Sequence, residues 1–122
     1  SSIAAEVARA GEALQAAGVA FEPRLEAVSL AAAAESVLAL AIREAVTNVV
    51  RHAGARTCQL HLERAGDRAS LTIEDDGKGG IAAEGTGLSS MRERLAALGG
   101  TLERSGDAGT RLAISIPRGV TA

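Results

Sequence analysis

"IEDDGKGG", residues 73–80, decides how this chain is read. It continues the alternating run "ASLT" at 69–72, then passes through two aspartates into glycines at 77, 79 and 80. Alternation with a period of two marks a half-buried strand. The glycines after it form either a plain turn or a loop whose backbone N–H groups can close on a phosphate. Leu71 and Ile73 point to one side of the strand, and Asp75 shares that side. A carboxylate on a buried face is costly unless hydrogen-bonded. Asp75 therefore either caps the turn or meets a donor such as water, Thr110 or an exocyclic amine.

The same patterning extends in both directions. "TCQLHLER" (57–64) alternates as well, and "AGDR" turns it back into 69–75 as an antiparallel hairpin. After the glycines, Leu88, Met91, Leu95 and Leu98 fall at helical spacing, closed by Gly99-Gly100. "TLERSGDAGTRLAISIP" (101–117) is a second hairpin, with its turn at 105–109 and Thr110 on the same side as Leu112, Ile114 and Ile116. Toward the N-terminus, Ile3, Val7, Ala10 and Leu14 mark a helix that Gly18 stops. "VAFEPRL" (19–25) reads as a short strand with Pro23 at an edge or a break. From about Leu30 to Ala53 a long helix places Leu38, Ile42, Ala45, Val46, Val49 and Val50 on one face. Strands that come as neighbouring hairpins predict an α+β fold. It is a two-layer α/β sandwich, with a mostly antiparallel sheet and three helices on one face. The opposite face, with Gln59, His61, Glu63, Ser70, Thr72 and Glu74, can meet water.

At 122 residues, 47 % of them hydrophobic, the chain is a single domain spanning 1–122 with an aliphatic core around one aromatic, Phe21. A net charge of −2 argues against binding nucleic acid by phosphate neutralisation. The lone Cys58 excludes an internal disulfide framework and a multi-cysteine zinc site, and suits a reducing, cytoplasmic setting. No apolar run is long enough to cross a membrane, so no membrane contact is expected of this segment. The start "SSIAAEV", without methionine, suggests a piece of a longer protein.

Two further features bear on chemistry. Glu44, Asn48 and His52 form one polar stripe on the long helix, flanked by Arg51. Their oxygens are hard ligands suited to Mg²⁺, directly or through its waters, and the two basic residues suit phosphate oxygens. The alternative is a solvated face with a Glu–Arg or Glu–His pair. The second feature is the glycine set, where 77, 79 and 80, then 85 and 87, lead into a helix N-terminus, which adds a favourable dipole for anions. There is no GxxxxGK[ST] and thus no P-loop. "GKGGIA" matches a dinucleotide fingerprint only loosely and lacks a surrounding parallel βαβ unit.

"REAVTNVVRHAGA" (43–55), "DDGKGG" (75–80), "GTGLSSMRERL" (85–95) and "GTRLAISIP" (109–117) together resemble the nucleotide-binding boxes of the GHKL ATPase superfamily. Specifically, the chain resembles the catalytic domain of bacterial sensor histidine kinases of the subtype paired with LuxR/NarL-type response regulators. The likeness runs from about residue 12 to Pro117. It implies the Bergerat ATP-binding fold, with ATP and Mg²⁺ as cofactors. By matching positions, Asn48 would coordinate Mg²⁺. Glu44 would orient the metal shell or polarise the attacking group. Asp75 would accept the adenine amine, with Thr110 assisting through water. Gly77 and Gly79 would open a lid over the nucleotide. Gly85, Thr86, Gly87 and Leu88 would close it. Lys78 is a candidate lid contact, and Arg51 or His52 would complete the phosphate side.

Departures from the larger members of that group are a short lid, about 78–86, and no phenylalanine box before it. Neither His52 nor His61 sits in a phosphoacceptor context. The resemblance thus implies a histidine kinase domain separated from its substrate. A dimerisation and phosphoacceptor helix would precede Ser1 in a parent protein that can be membrane-anchored, with a response regulator downstream. Alone, the segment would be monomeric, bind nucleotide and hydrolyse it poorly. Two other functions fit the same residues: an anti-sigma-factor-like serine kinase and a non-catalytic adenine-nucleotide-binding module.

Overall fold

The computed structural model describes residues 2–78, 86–106 and 108–121. Helix α1 (Ile3–Ala16) starts where the Ser2 hydroxyl accepts the Ala5 N–H at 3.1 Å, relieving one orphan donor of the first turn. Strand β1 (Ala20–Leu25) follows, and then α2 (Ala32–Asn48), which continues into a π-helical turn at Val49–Ala53. Gly54, at φ +59°, ends that turn in the left-handed region open to glycine. The hairpin β2 (Thr57–Ala65) and β3 (Arg68–Asp75), helix α3 (Thr86–Ala97), and the hairpin β4 (Thr101–Ser105) and β5 (Thr110–Pro117) complete the chain.

The five strands form one sheet in the order β1-β2-β3-β5-β4, antiparallel from β2 onward. β1 is the difference from a sheet built only of hairpins. It runs parallel to β2, with Ala20 opposite Thr57 and Leu25 opposite Leu62, and α2 makes the crossover between them. The local pattern of "VAFEPRL" carries strand propensity but nothing about direction; the length of the intervening helix sets it. Helices α1 and α3 both pack against α2.

Leu14, Leu38, Ile42, Leu60, Leu71, Met91, Leu95, Ile114 and Ile116 fill the aliphatic core between helices and sheet. The inward positions expected of the strands are buried, Cys58, Leu60 and Leu62 on β2, Leu71, Ile73 and Asp75 on β3, and Leu112, Ile114 and Ile116 on β5, except Thr110 at the start of β5, which is half-buried. Val50 departs from the expected helix face and is 42 % exposed. It lies in the π turn, where an extra residue per turn rotates the side chains away from the α-helical register.

Two polar clasps hold this frame and had no local signal in the sequence. Glu6 is buried between α1 and α2, and its Oε1 accepts from Arg43 at 2.6 Å and Arg9 at 2.8 Å. The Arg43 guanidinium, more than Arg9, holds the Glu6 carboxyl below its usual range. Arg118 is buried after β5, where its guanidinium donates to the carbonyls of Gly66 and Ser29. It thereby fastens the β2–β3 turn to the segment entering α2.

Candidate functional site

The strand ends beside α2 hold the sequence-derived candidates. Asp75 and Thr110 are cross-strand partners at the last rung of the β3–β5 ladder, with Asp75 buried and Thr110 half-buried. Asp75 Oδ1 accepts the N–H of Gly77 at 2.8 Å. The capping reading of Asp75 therefore holds for one oxygen. The other, Oδ2, has no hydrogen-bond partner among the described residues. Gly109 is buried at φ +118° against the Asp75 main-chain oxygen, so only a residue without a Cβ fits there.

Cys58, on β2, is the cross-strand partner of Asp75 and is fully buried. Burial, and secondarily the Asp75 charge, push its thiol up to about 12. The folded chain keeps that proton through a pH range in which the unfolded chain, near an ordinary thiol value of about 8.5, loses it. The stabilisation is complete below that value and is lost as pH rises toward 12, at about 1.4 kcal/mol per pH unit. Urea unfolding between pH 8 and pH 10 should show this slope, and Cys58→Ala should flatten it. Equal slopes in the two proteins would contradict the assignment.

Glu44 and Asn48 lie one turn apart near the end of α2, and Arg51 follows in the π turn. Glu44 is half-buried, while Asn48 and Arg51 are exposed. Among the described residues none of the three makes a side-chain hydrogen bond or ion pair, and neither does Lys78. The Glu–Arg pair expected of an ordinary solvated face is thus absent among the described residues. Glu44 also faces the start of α3, because a methyl on Gly87 would overlap its carboxylate. Lys78 reaches the other end of the π turn, where a methyl on Gly54 would stand 3.8 Å from its Cε. Gly79 and Gly85 lie outside the described residues, as do the side chains of His52 and Thr86. Leu88, assigned to the lid closure, is buried in the core.

The donor set suits a hard cation held mostly by a ligand. Among the described residues no three His, Cys, Asp or Glu side chains converge on one point. Glu44 and Asn48 supply oxygens on one helix face that have no partner among the described residues, which fits Mg²⁺ bound chiefly through phosphates and waters.

A family model described as histidine kinase-, DNA gyrase B- and HSP90-like ATPase matches residues 33–120. The chain belongs to this ATPase family. It is 39 % identical over 98 residues to the signal transduction histidine-protein kinase/phosphatase UhpB of Salmonella typhimurium, covering 78 % of this chain and 20 % of that protein. It is 39 % identical over 87 residues to the sensor histidine kinase DesK of Bacillus subtilis, covering 68 % of this chain and 24 % of that protein. The chain thus spans between a fifth and a quarter of the length of these curated relatives. A histidine kinase domain from the blue-light-activated histidine kinase of Erythrobacter litoralis superposes with a TM-score of 0.81 at 22 % identity, covering 95 % of this chain and 60 % of that one. At that identity the likeness is one of fold.

Within this ATPase domain, sequence reasoning passed over Asp76. Its Oδ1 accepts the N–H groups of Arg56 at 2.8 Å and Thr57 at 2.9 Å. These bonds, Thr57 first, hold its carboxyl below the usual range. An available signal was the second aspartate before Gly77, because a short acceptor beside a glycine turn commonly binds nearby backbone N–H groups.

Proposed function

We propose that the chain binds Mg·ATP and supplies the γ-phosphoryl group to a histidine on a separate dimerisation domain, as the catalytic part of a sensor kinase. The observation that carries this reading is the Oδ2 of Asp75, without a partner among the described residues, on a buried face beside Thr110. An acceptor held there suits an exocyclic amine and excludes a bare anion. Asn48, Arg51 and Lys78, without side-chain partners among the described residues, then suit the phosphate side. Membership of the ATPase family and the similarity to sensor histidine kinases support the same reading.

In this scheme Asp75 and Thr110 orient the base, and Arg51 and Lys78 offset charge on the phosphates. Asn48, with Glu44 beside it, would hold Mg²⁺, which when bound neutralises charge on the β- and γ-phosphates. The attacking group is an imidazole nitrogen of the partner domain. A P–N bond forms as the bond from the γ-phosphorus to the β–γ bridging oxygen breaks, and ADP leaves. In-line positioning and electrostatic stabilisation, rather than a proton-transfer residue of this chain, are then the domain's contributions.

The test is to mix the purified chain, labelled ATP and Mg²⁺ with the helical dimerisation domain of its parent kinase. Acid-labile, base-stable label on that domain is expected, as phosphohistidine requires. Acid-stable label would point to a serine kinase. Tight ATP binding with no transfer would leave a nucleotide-binding module.

A further inference from the structure

We propose that Asp76 is a positioning residue that sets the distance between the base end and the phosphate end of the site; this rests on the ATP-binding reading above. In the chain, Asp76 lies between Asp75 and the Gly77-Lys78 hinge. In space, its Oδ1 binds two consecutive N–H groups, those of Arg56 and Thr57, at 2.8 and 2.9 Å. Its own N–H points back to the Thr57 carbonyl at 3.4 Å. Residues 54–57 are the return from the π turn into β2, and that turn carries Arg51 and follows directly on Asn48.

Asp76 is thus the side chain that joins segment 75–78 to segment 54–57 by hydrogen bonds among the described residues. Lys78, two residues on, lies close to Gly54, where a methyl would stand 3.8 Å from its Cε. The carboxylate is exposed, so solvation alone would leave it free to move. Two charge-assisted bonds to adjacent main-chain donors instead fix it in one orientation. The join leaves Oδ2 of Asp75 free for the base while holding the cationic and amide side chains at a set distance from it. Ligands that reach both ends should sense this distance, and a ligand confined to the base end should not.

The experiment is a pair of NMR titrations, with Mg·ATP and with adenosine, on the wild-type chain, Asp76→Ala and Asp76→Asn. Asp76→Ala is expected to weaken ATP binding by on the order of tenfold or more, the loss of about two modest hydrogen bonds. Adenosine binding should stay within about twofold, a change below the worth of one such bond. Asp76→Asn keeps an acceptor oxygen for both N–H groups and should restore ATP binding to near the wild-type level. A role confined to stability would lower the melting temperature and change both ligands alike, which would overturn the inference. So would Asp76→Ala binding ATP as wild type does. A wild-type chain that binds neither ligand would overturn the ATP-binding reading itself, and this inference with it.

Discussion

Asp75→Asn is expected to abolish most ATP binding while leaving the fold in place. In the proposed site one carboxylate would serve two donors: Oδ1 takes the Gly77 N–H at 2.8 Å, and Oδ2, without a partner among the described residues, would take the base. An asparagine has one acceptor and one donor in the same two places. If its oxygen stays on Gly77, its NH₂ faces the adenine amine, donor against donor. If it flips, the base is served and the Gly77 N–H loses its partner. Either way one buried contact fails, at a cost of about 1.5–3 kcal/mol, or roughly 10- to 150-fold in affinity. The same change should narrow the preference for ATP over GTP, because guanine presents an acceptor oxygen where adenine presents an amine. Calorimetric titration with both nucleotides, beside a thermal melt, measures this. Unchanged ATP affinity in a normally folded Asp75→Asn protein would remove Asp75 from the base site.

Gly87→Ala is the second large effect, and it should be functional rather than structural. The added methyl would overlap the Glu44 carboxylate. That carboxylate is the far end of a flexible side chain, so it can swing aside without moving α2 or α3. Alanine also favours a helix over glycine by about 1 kcal/mol, which offsets part of the disturbance. Stability should therefore change by less than about 1 kcal/mol. Glu44 would be displaced from any place beside the metal, and phosphotransfer should fall by roughly 10- to 100-fold, the usual loss when a residue supporting a metal site is removed. Glu44→Ala should do the same, and the double variant should be no worse than either single one, since both remove one interaction. Additive losses would show that Gly87 and Glu44 act separately, and the shared-contact explanation would fall.

Most of the frame was legible because it is written in local periods. Alternation in 57–62, 69–75 and 110–116 sets the side to which each residue points, and this parity alone puts Asp75 and Thr110, which pair across β3 and β5, on the inner face. The helix spacing of Leu88, Met91 and Leu95 likewise matched their burial. What stayed hidden depends on contacts between distant parts of the chain. Glu6 meets Arg43 across 37 residues, and Asp76 reaches Arg56 and Thr57 across 20 and 19. Such clasps are chosen by the packed geometry of two elements, and no period along one element encodes them. The direction of β1 was hidden for the same reason, because parallel pairing with β2 is settled by where α2 delivers the chain. The π turn escaped too: a single widened turn leaves the apolar spacing before it intact and shifts only Val50 out of the core.

The parallel edge strand has a consequence for how the domain behaves in concentrated solution. Ala20 and Glu26 donate their N–H groups to Arg56 and Leu62 of the neighbouring segment. By the two-residue repeat, Phe21, Pro23 and Leu25 turn their main-chain groups toward the border that no described strand pairs. Pro23 has no N–H to offer, so the border's row of donors is broken at its midpoint. A second copy trying to zip onto it would lose a hydrogen bond there and meet the proline ring instead. The domain can thus leave this border uncovered, beside whatever segments adjoin it, with little tendency to extend its sheet from molecule to molecule. Pro23→Thr should restore the missing donor and favour self-association through that border.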